Sequence, residues 1–454
     1  MRYHLVAGTT NQDSHALVWG SGLAGLLAAR VLVDHFAQVT VIDQPTNLPD
    51  HQPLSIRGQM VLERLFPGIT TQLMLAGAPG ISWTADCPVL LPAGWLPRFP
   101  ADFSSRLASP VLIERIVRQR VLEYGGSRLS FNQSIISGYA QRGKQLLGLK
   151  RDVNSIISGQ VVVNTTRHHP FSLSGAVPLP TGIHLTSALF QPSDHFFADW
   201  KALLLFSDFQ PLQGGWLLPL ENKRWLVTLF GQPGQLPTHA ESFASFAHRL
   251  RHPALSEALQ SATFIDDTFQ QHTFTLRRYP PDQGHWPHNL LRVSERGIFE
   301  MEYAVASATA ISEALREQRR QHPNGDLTGL ARRFQTRLQQ TSVLPGWLTL
   351  TLFNPQLNTF QQLLKNVSTG WGRRILTAAP TDATLARLIW QVVQQDTSWR
   401  AWLKPDVIEK SLRPIPAHPA VLTLPPAPQP TLSAPTPRKM STAELSAIVD
   451  LSER

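Results

Sequence analysis

Three glycines and one aspartate carry the clearest chemical signal in the chain. Gly20, Gly22 and Gly25 stand in a G-x-G-x-x-G arrangement within "VWGSGLAGLLAARVLVDHFAQVTVID", and Asp43 closes that stretch. At this spacing the first glycine permits a tight turn and the second lets a pyrophosphate approach the backbone. The third lets helix and strand pack closely. Leu23 and Ala24 fall between the last two glycines, where the N–H groups of a helix's first turn and the positive end of its dipole favour an anion. Asp43, about twenty residues on, is placed to accept hydrogen bonds from a ribose. The chemistry this spacing points to is dinucleotide binding.

A glycine triplet gains meaning only from the elements that position it. His15–Trp19 is a short apolar run ending in glycine, as a buried parallel strand does. Leu23–Phe36 carries Leu, Ala and Val at helical spacing, and "AQVTVID" is a second strand rich in β-branched residues. The three form a β-α-β unit. After Ser55, "IRGQMVLERLFPGITTQLMLAGA" reads as helix with a break at Pro67–Gly68. Ser109–Leu122 is another helix and "GQVVVNTT" a strand. "GGWLLPL" and "RWLVTLFG" are two strands joined by a polar turn at Glu221–Lys223, evidence for a sheet layer inserted into the α/β fold. Helices are expected at Ala304–Arg320 and Leu327–Thr341, with more to about Arg413.

Other chemistries find little support. Cys87 is the one cysteine, which excludes intramolecular disulfides and cysteine metal clusters. The sixteen histidines show no H-E-x-x-H spacing, and the neighbours His168 and His169 rarely ligate one metal without further partners. Net charge is +9, yet only 16% of residues are charged and the basic pairs are scattered, so no nucleic-acid surface is expected. Arg30 and Asp34 interrupt the best apolar run, so no membrane span is expected either. The first residues lack the order of a secretory signal, which places the protein in the cytoplasm as an expectation.

At Pro414 the composition changes to "PIPAHPAVLTLPPAPQPTLSAPTPRK", a segment that favours extended polyproline II and suits a semi-stiff spacer. Ser441 and Glu444 then form a capping-box pair. Leu445, Ile448 and Val449 share one face of a short terminal helix that could dock on a protein partner.

With these residues in view, the chain resembles the FAD-dependent aromatic hydroxylases of the p-hydroxybenzoate hydroxylase superfamily. The nearest branch is that of bacterial monooxygenases that tailor polyketides and related metabolites by hydroxylation or epoxidation. "GLLAARVLVDHFAQVTVID", "RGQMVLERLFPGI", "GGWLLPLENKRWLVTLFG", "FASFAHRLRHPALSEAL" and "LKPDVIEKSLR" carry the likeness, which spans Ala16 to Arg413. It implies an α/β fold: a Rossmann-like FAD-binding domain with an inserted β-sheet substrate domain and C-terminal helices. The expected boundaries are 1–70, 105–175 and 275–345 for a discontinuous FAD-binding domain, and 71–104 with 176–274 for the sheet. A helical region at 346–413, a Pro-rich linker at 414–440 and a terminal helix at 441–454 follow.

The resemblance also implies FAD as cofactor, held by Gly20, Gly22, Leu23, Ala24, Gly25 and Asp43. Arg118 matches a family arginine on its helix, and Glu295 stands one residue from the family's G-D aspartate. NAD(P)H is the implied electron donor, with no motif of its own here. The substrate would be a hydrophobic small molecule between ring and sheet, near Trp216, Leu218, Trp225, Val227 and Phe230, of which only alternate residues can share a face. Two motifs depart from the pattern. The family's D-A-T-G reads Asn164-Thr165-Thr166-Arg167, and its glycine pair reads Ala304-Val305-Ala306-Ser307. Side-chain carbons there occupy space a flavin ring would use. A second reading therefore stays open: a flavin-free descendant serving as a cyclase-like catalyst, carrier or auxiliary subunit. In it Glu295, Glu300 and Glu302 would rim the former cavity as acid–base groups.

Overall fold

The computed structural model describes residues 14–43, 54–100, 103–151, 155–166, 177–209, 212–232, 234–239, 241–278, 286–293, 300–340, 370–394, 401–402, 404–413 and 423–428. Glu295, Arg167, the pair His168–His169 and the terminal helix at 441–454 lie outside them.

A parallel five-stranded sheet organises the first layer, in the order Leu290–Arg292, Val161–Asn164, His15–Trp19, Gln38–Ile42, Leu129–Asn132. The Val-rich runs "HALVW", "QVTVI" and "VVVN" are nearly continuous burial, as parallel strands covered on both faces must be. The helix Leu23–Val33 shows almost no polar side, because it is wedged between the sheet and the helices Pro110–Gly125 and Glu300–Gln321. Its Leu26, Leu27 and Leu32 join Ile113, Val117, Ala308 and Ile311 in one core. The helix Pro110–Gly125 starts at Ser109, whose hydroxyl accepts from Leu112 N–H, with Pro110 in the first turn where its missing donor costs nothing. The expected break at Pro67–Gly68 separates helices Ile56–Leu65 and Ile69–Leu75, with Gly68 at φ +85° between them.

The second layer is a mostly antiparallel sheet. Its strands run Ala262–Phe264, Val177–Pro192, Arg224–Gly231, Leu212–Leu220, Leu203–Phe209, Val89–Leu91, Gly94–Trp95, and Gln270–Arg278 also pairs with Val177–Pro192. The hairpin Leu212–Leu220/Arg224–Gly231 turns through Glu221–Lys223, with Asn222 at φ 62°. Alternation sorts the aromatic residues of this sheet. Trp216, Leu218 and Phe230 share one face with Trp83, Ile375 and Trp390, while Trp225 and Val227 face the opposite side, against helices Ser242–His248 and Ala254–Gln260. Trp225 and Val227 are thus core residues on the face turned from Trp216 and Phe230.

The C-terminal helices 370–378 and Ala383–Val393 cover the Trp216–Phe230 face. Gln394, just past the second, binds the start of helix Ile56–Leu65. Its side-chain oxygen accepts from Ile56 N–H at 3.0 Å and its carbonyl from Arg57 N–H. Residues 423–428, inside the Pro-rich stretch, dock on the sheet. Arg98 donates to Pro425 O and to Asp199, Ala427 N–H donates to Asp199, and Leu424 packs against the core cluster that includes Trp225. Among the described residues, no helix is long and apolar enough to cross a membrane, and no group of three His, Cys, Asp or Glu could hold a metal.

Candidate functional site

The turn from the first strand into its helix is where the fingerprint residues meet. Gly20 lies at φ +110°, a backbone region that side-chain-bearing residues rarely enter, and its N–H donates to Ile42 O. A methyl group on Gly20 would come within 2.4 Å of Thr165 Oγ1, and one on Gly25 within 1.9 Å of Gly20 O. The first and third glycines therefore let turn, helix and the neighbouring strand end interpenetrate. Gly22 caps helix Leu23–Val33 with no side-chain bond, leaving the first-turn N–H groups to other partners.

The strand end opposite is the altered second motif. Thr165 N–H and Oγ1 both donate to Trp19 O, at 2.8 and 3.1 Å, fastening this strand end to the first strand beside the glycine turn. Asn164 closes its own turn: its Oδ1 accepts from Thr166 N–H and Oγ1, and its amide donates to Tyr139 Oη. The Oδ1 contacts are open to an aspartate as well, but the amide donation to Tyr139 Oη is not.

Charge gathers at the mouth of the turn. Arg118, on helix Pro110–Gly125, donates to Ser21 O at 3.1 Å and to Asp43 Oδ1 at 3.2 Å, and lies over the Phe131 ring. One helical turn earlier, Glu114 lies near the same turn, within the influence of Arg118, Asp43 and the Leu23 backbone. Burial pushes the Glu114 carboxyl above its ordinary value. Arg118 and the Leu23 N–H pull it back, and Asp43 adds to the rise. Ser21, between the glycines, is fully buried, and its hydroxyl has no hydrogen-bond partner among the described residues. Leu23 is fully buried and Ala24 partly so. Glu114 and Ser21 escape a sequence reading. One signal existed, since Glu114 and Arg118 are four apart on one helix face.

The altered third motif is helical. The helix begins at Glu300, about one turn before the expected Ala304, and Met301, Tyr303, Ala304 and Val305 pack into the core of the first layer. Ser307 Oγ donates back to Ala304 O. Glu302 is 8% exposed and accepts the N–H of Ser55, which caps helix Ile56–Leu65. That carboxylate is a structural fastener between two helices.

The residues fit the ADP half of FAD. Gly20 and Gly25 admit no added carbon, the Ser21 hydroxyl has no partner among the described residues, and Asp43 follows the second strand at the same mouth. On the ring side, the described residues offer helix and apolar packing where the resemblance places glycines.

No known family profile matches the chain. Protein Rv3254 of Mycobacterium tuberculosis is 25% identical over 288 residues, covering 56% of this chain and 60% of that relative's length. Solved structures extend further. The flavin-dependent brominase Bmp2 superposes with a TM-score of 0.61 at 13% identity, over 84% of this chain and 94% of that one. PqsL, a probable FAD-dependent monooxygenase from Pseudomonas aeruginosa, gives 0.57 at 14%, over 85% and 100%. The myxobacterial chondrochloren halogenase CndH, a variant of the FAD-dependent halogenases, gives 0.57 at 11%, over 85% and 98%. The chain has the fold of these FAD-dependent monooxygenases and halogenases.

Proposed function

We propose that the chain is an FAD-dependent monooxygenase-type protein that hydroxylates or epoxidises a hydrophobic aromatic, polyketide-like or alkene small molecule. The observation that carries this reading is the glycine turn: Gly20 at positive φ, Gly25 in contact with Gly20 O, and Asp43 at the end of the adjoining strand. Such a turn brings backbone N–H groups to a pyrophosphate at a helix N-terminus. FAD, when bound, supplies the activation of oxygen. The chain's own part is to hold and to exclude. Gly20, Gly22, Leu23, Ala24 and Gly25 present the main chain, and Asp43 accepts from the ribose. Arg118 steadies Asp43, and Glu295 is the acidic contact proposed further along the cofactor. The Trp216–Phe230 sheet face, with the C-terminal helices packed on it, closes that side of the molecule to water. NAD(P)H is the proposed donor.

A second reading, a flavin-free descendant of the fold, is favoured by the helix that starts at Glu300 and buries Ala304 and Val305. In that reading Glu302 is already committed to Ser55 and serves no acid–base step.

Oxygen transfer distinguishes the two. The FAD-loaded chain, supplied with NAD(P)H and isotopically labelled oxygen gas, is expected to place one labelled atom in a member of a panel of phenols and styrenes. NAD(P)H consumption that yields only hydrogen peroxide across the panel contradicts the proposal.

A further inference from the structure

Residues 423–428 read TLPPAP, and the glycine turn has no use for them. Pro425, Pro426 and Pro428 fix their own φ at about −65°. A following proline also pushes Leu424, Pro425 and Ala427 into the extended region. The stretch therefore favours polyproline II even before it docks, with three residues to the turn. Pro425 and Pro428, three apart, share one edge of such a helix. Both are half-buried, while Pro426 and Ala427 between them are exposed. Burial follows the period of the helix.

A fixed pair of charges meets that edge. The Arg98 side chain is 2% exposed, and its Nε donates to Ala85 O at 2.8 Å and its Nη2 to Asp199 O at 2.5 Å. Nη1 reaches both Asp199 Oδ2 and Pro425 O, each at 2.9 Å. Asp199 Oδ2 in turn accepts the Ala427 N–H at 2.8 Å. From 425 to 428 that N–H is the single backbone donor, since the other three residues are prolines. The pair thus answers the one donor of the strand and a carbonyl two residues before it. Leu424, Phe196 and Trp200 all pack against the core cluster that includes Trp225. The Phe196 ring stands edge-on to Trp200 at 5.7 Å and to Trp225 at 5.0 Å. Aromatic surface for the apolar edge and fixed polar groups for the bare main chain are what a Pro-rich ligand needs.

We propose that Arg98, Asp199 and this aromatic edge form a binding site for polyproline II peptides of the pattern L-P-P-x-P, and that residues 423–428 are its resident, exchangeable occupant. The position x takes any residue that keeps its N–H for Asp199. A tethered occupant competes at an effective concentration on the order of millimolar. A strand of the same pattern from a partner therefore enters only by displacing the resident, and weakening the resident opens the site. The site is independent of whether the chain holds FAD.

The test uses the full chain and the synthetic peptide TLPPAP, blocked at both ends and titrated by calorimetry. Leu424→Asp combined with Ala427→Pro removes the resident's apolar anchor and its N–H to Asp199, and leaves Arg98 and Asp199 in place. This opened variant is expected to bind the peptide about tenfold more tightly than wild type. The same peptide with proline in place of its alanine keeps its shape and lacks the N–H. It is expected to bind the opened variant about tenfold more weakly, as loss of one charge-assisted hydrogen bond requires. No peptide binding by the opened variant, or equal affinity in variant and wild type, overturns the proposal. Equal affinity for the two peptides overturns it as well. If the opened variant does not fold, the wild type decides. Excess peptide is then expected to speed hydrogen exchange at the Ala427 N–H, and exchange that ignores the peptide overturns the proposal.

Discussion

At the scale of single residues, the glycines of the turn are demanding for two different reasons. Gly20 needs its backbone angle, and Gly25 needs its missing carbon. A methyl at Gly25 would sit 1.9 Å from Gly20 O, and that oxygen belongs to backbone held by the Gly20–Ile42 bond, so the helix must move as a body. Gly25→Ala is expected to destabilise the chain by about 3 kcal/mol or more, at the upper end of what overpacking costs, and to abolish FAD binding. Gly138→Ala is the matched control. Its added carbon meets nothing within 4 Å, and the expected change stays within about 0.5 kcal/mol. Denaturant melts of the two variants check this. Equal stability would mean that the helix slides at no cost.

At the scale of elements, helix Pro110–Gly125 is fixed at its start by the inserted sheet. Glu221, in the hairpin turn, is 5% exposed and accepts from both Ser109 N–H at 3.0 Å and Ser109 Oγ at 2.5 Å, while Arg224 supplies its countercharge at 3.2 Å. The joint matters beyond packing, because the same helix carries Glu114 and Arg118 to the glycine turn. Glu221→Ala leaves the Ser109 N–H and the Arg224 guanidinium without this partner. The expected cost is about 2–4 kcal/mol, the range for breaking a buried charge-assisted cluster. A second consequence is weaker dinucleotide binding in a residue that touches no dinucleotide. Chemical denaturation measures the first and an ADP titration the second. A destabilised variant with unchanged ADP affinity would show that the helix keeps its place without the sheet.

At the scale of the whole molecule, what was legible in the sequence was local. The first β-α-β unit is plain because glycine spacing, helical periodicity and β-branched strands fall within thirty residues or so of one another. The hairpin around Glu221–Lys223 was legible for the same reason, and alternation foretold that its apolar residues divide between two faces, Trp216 on one and Trp225 on the other in the structure. What stayed hidden depends on distance along the chain. A glutamate on an amphipathic helix looks solvated, and nothing near Glu114 in sequence announces Leu23. The start of the long helix at Glu300 was hidden because "FEMEY" mixes charge with apolar residues. Only packing against helix Leu23–Val33 shows that Met301 and Tyr303 are core. The anchoring of residues 423–428 through Arg98 and Asp199 joins positions far apart, and a Pro-rich composition speaks only to local conformation.

The central question is whether the glycine turn holds a dinucleotide in a chain that carries a buried helix from Glu300 where the resemblance places glycines. The measurement is the visible absorption spectrum of the purified full chain, with and without added FAD, followed by denaturation and quantification of released flavin. Flavin bands in the folded protein and close to one FAD released per chain are predicted, because Gly20, Gly22, Gly25 and Asp43 hold the ADP half. A colourless chain whose tryptophan fluorescence ignores added FAD would contradict that prediction and leave the flavin-free reading in its place.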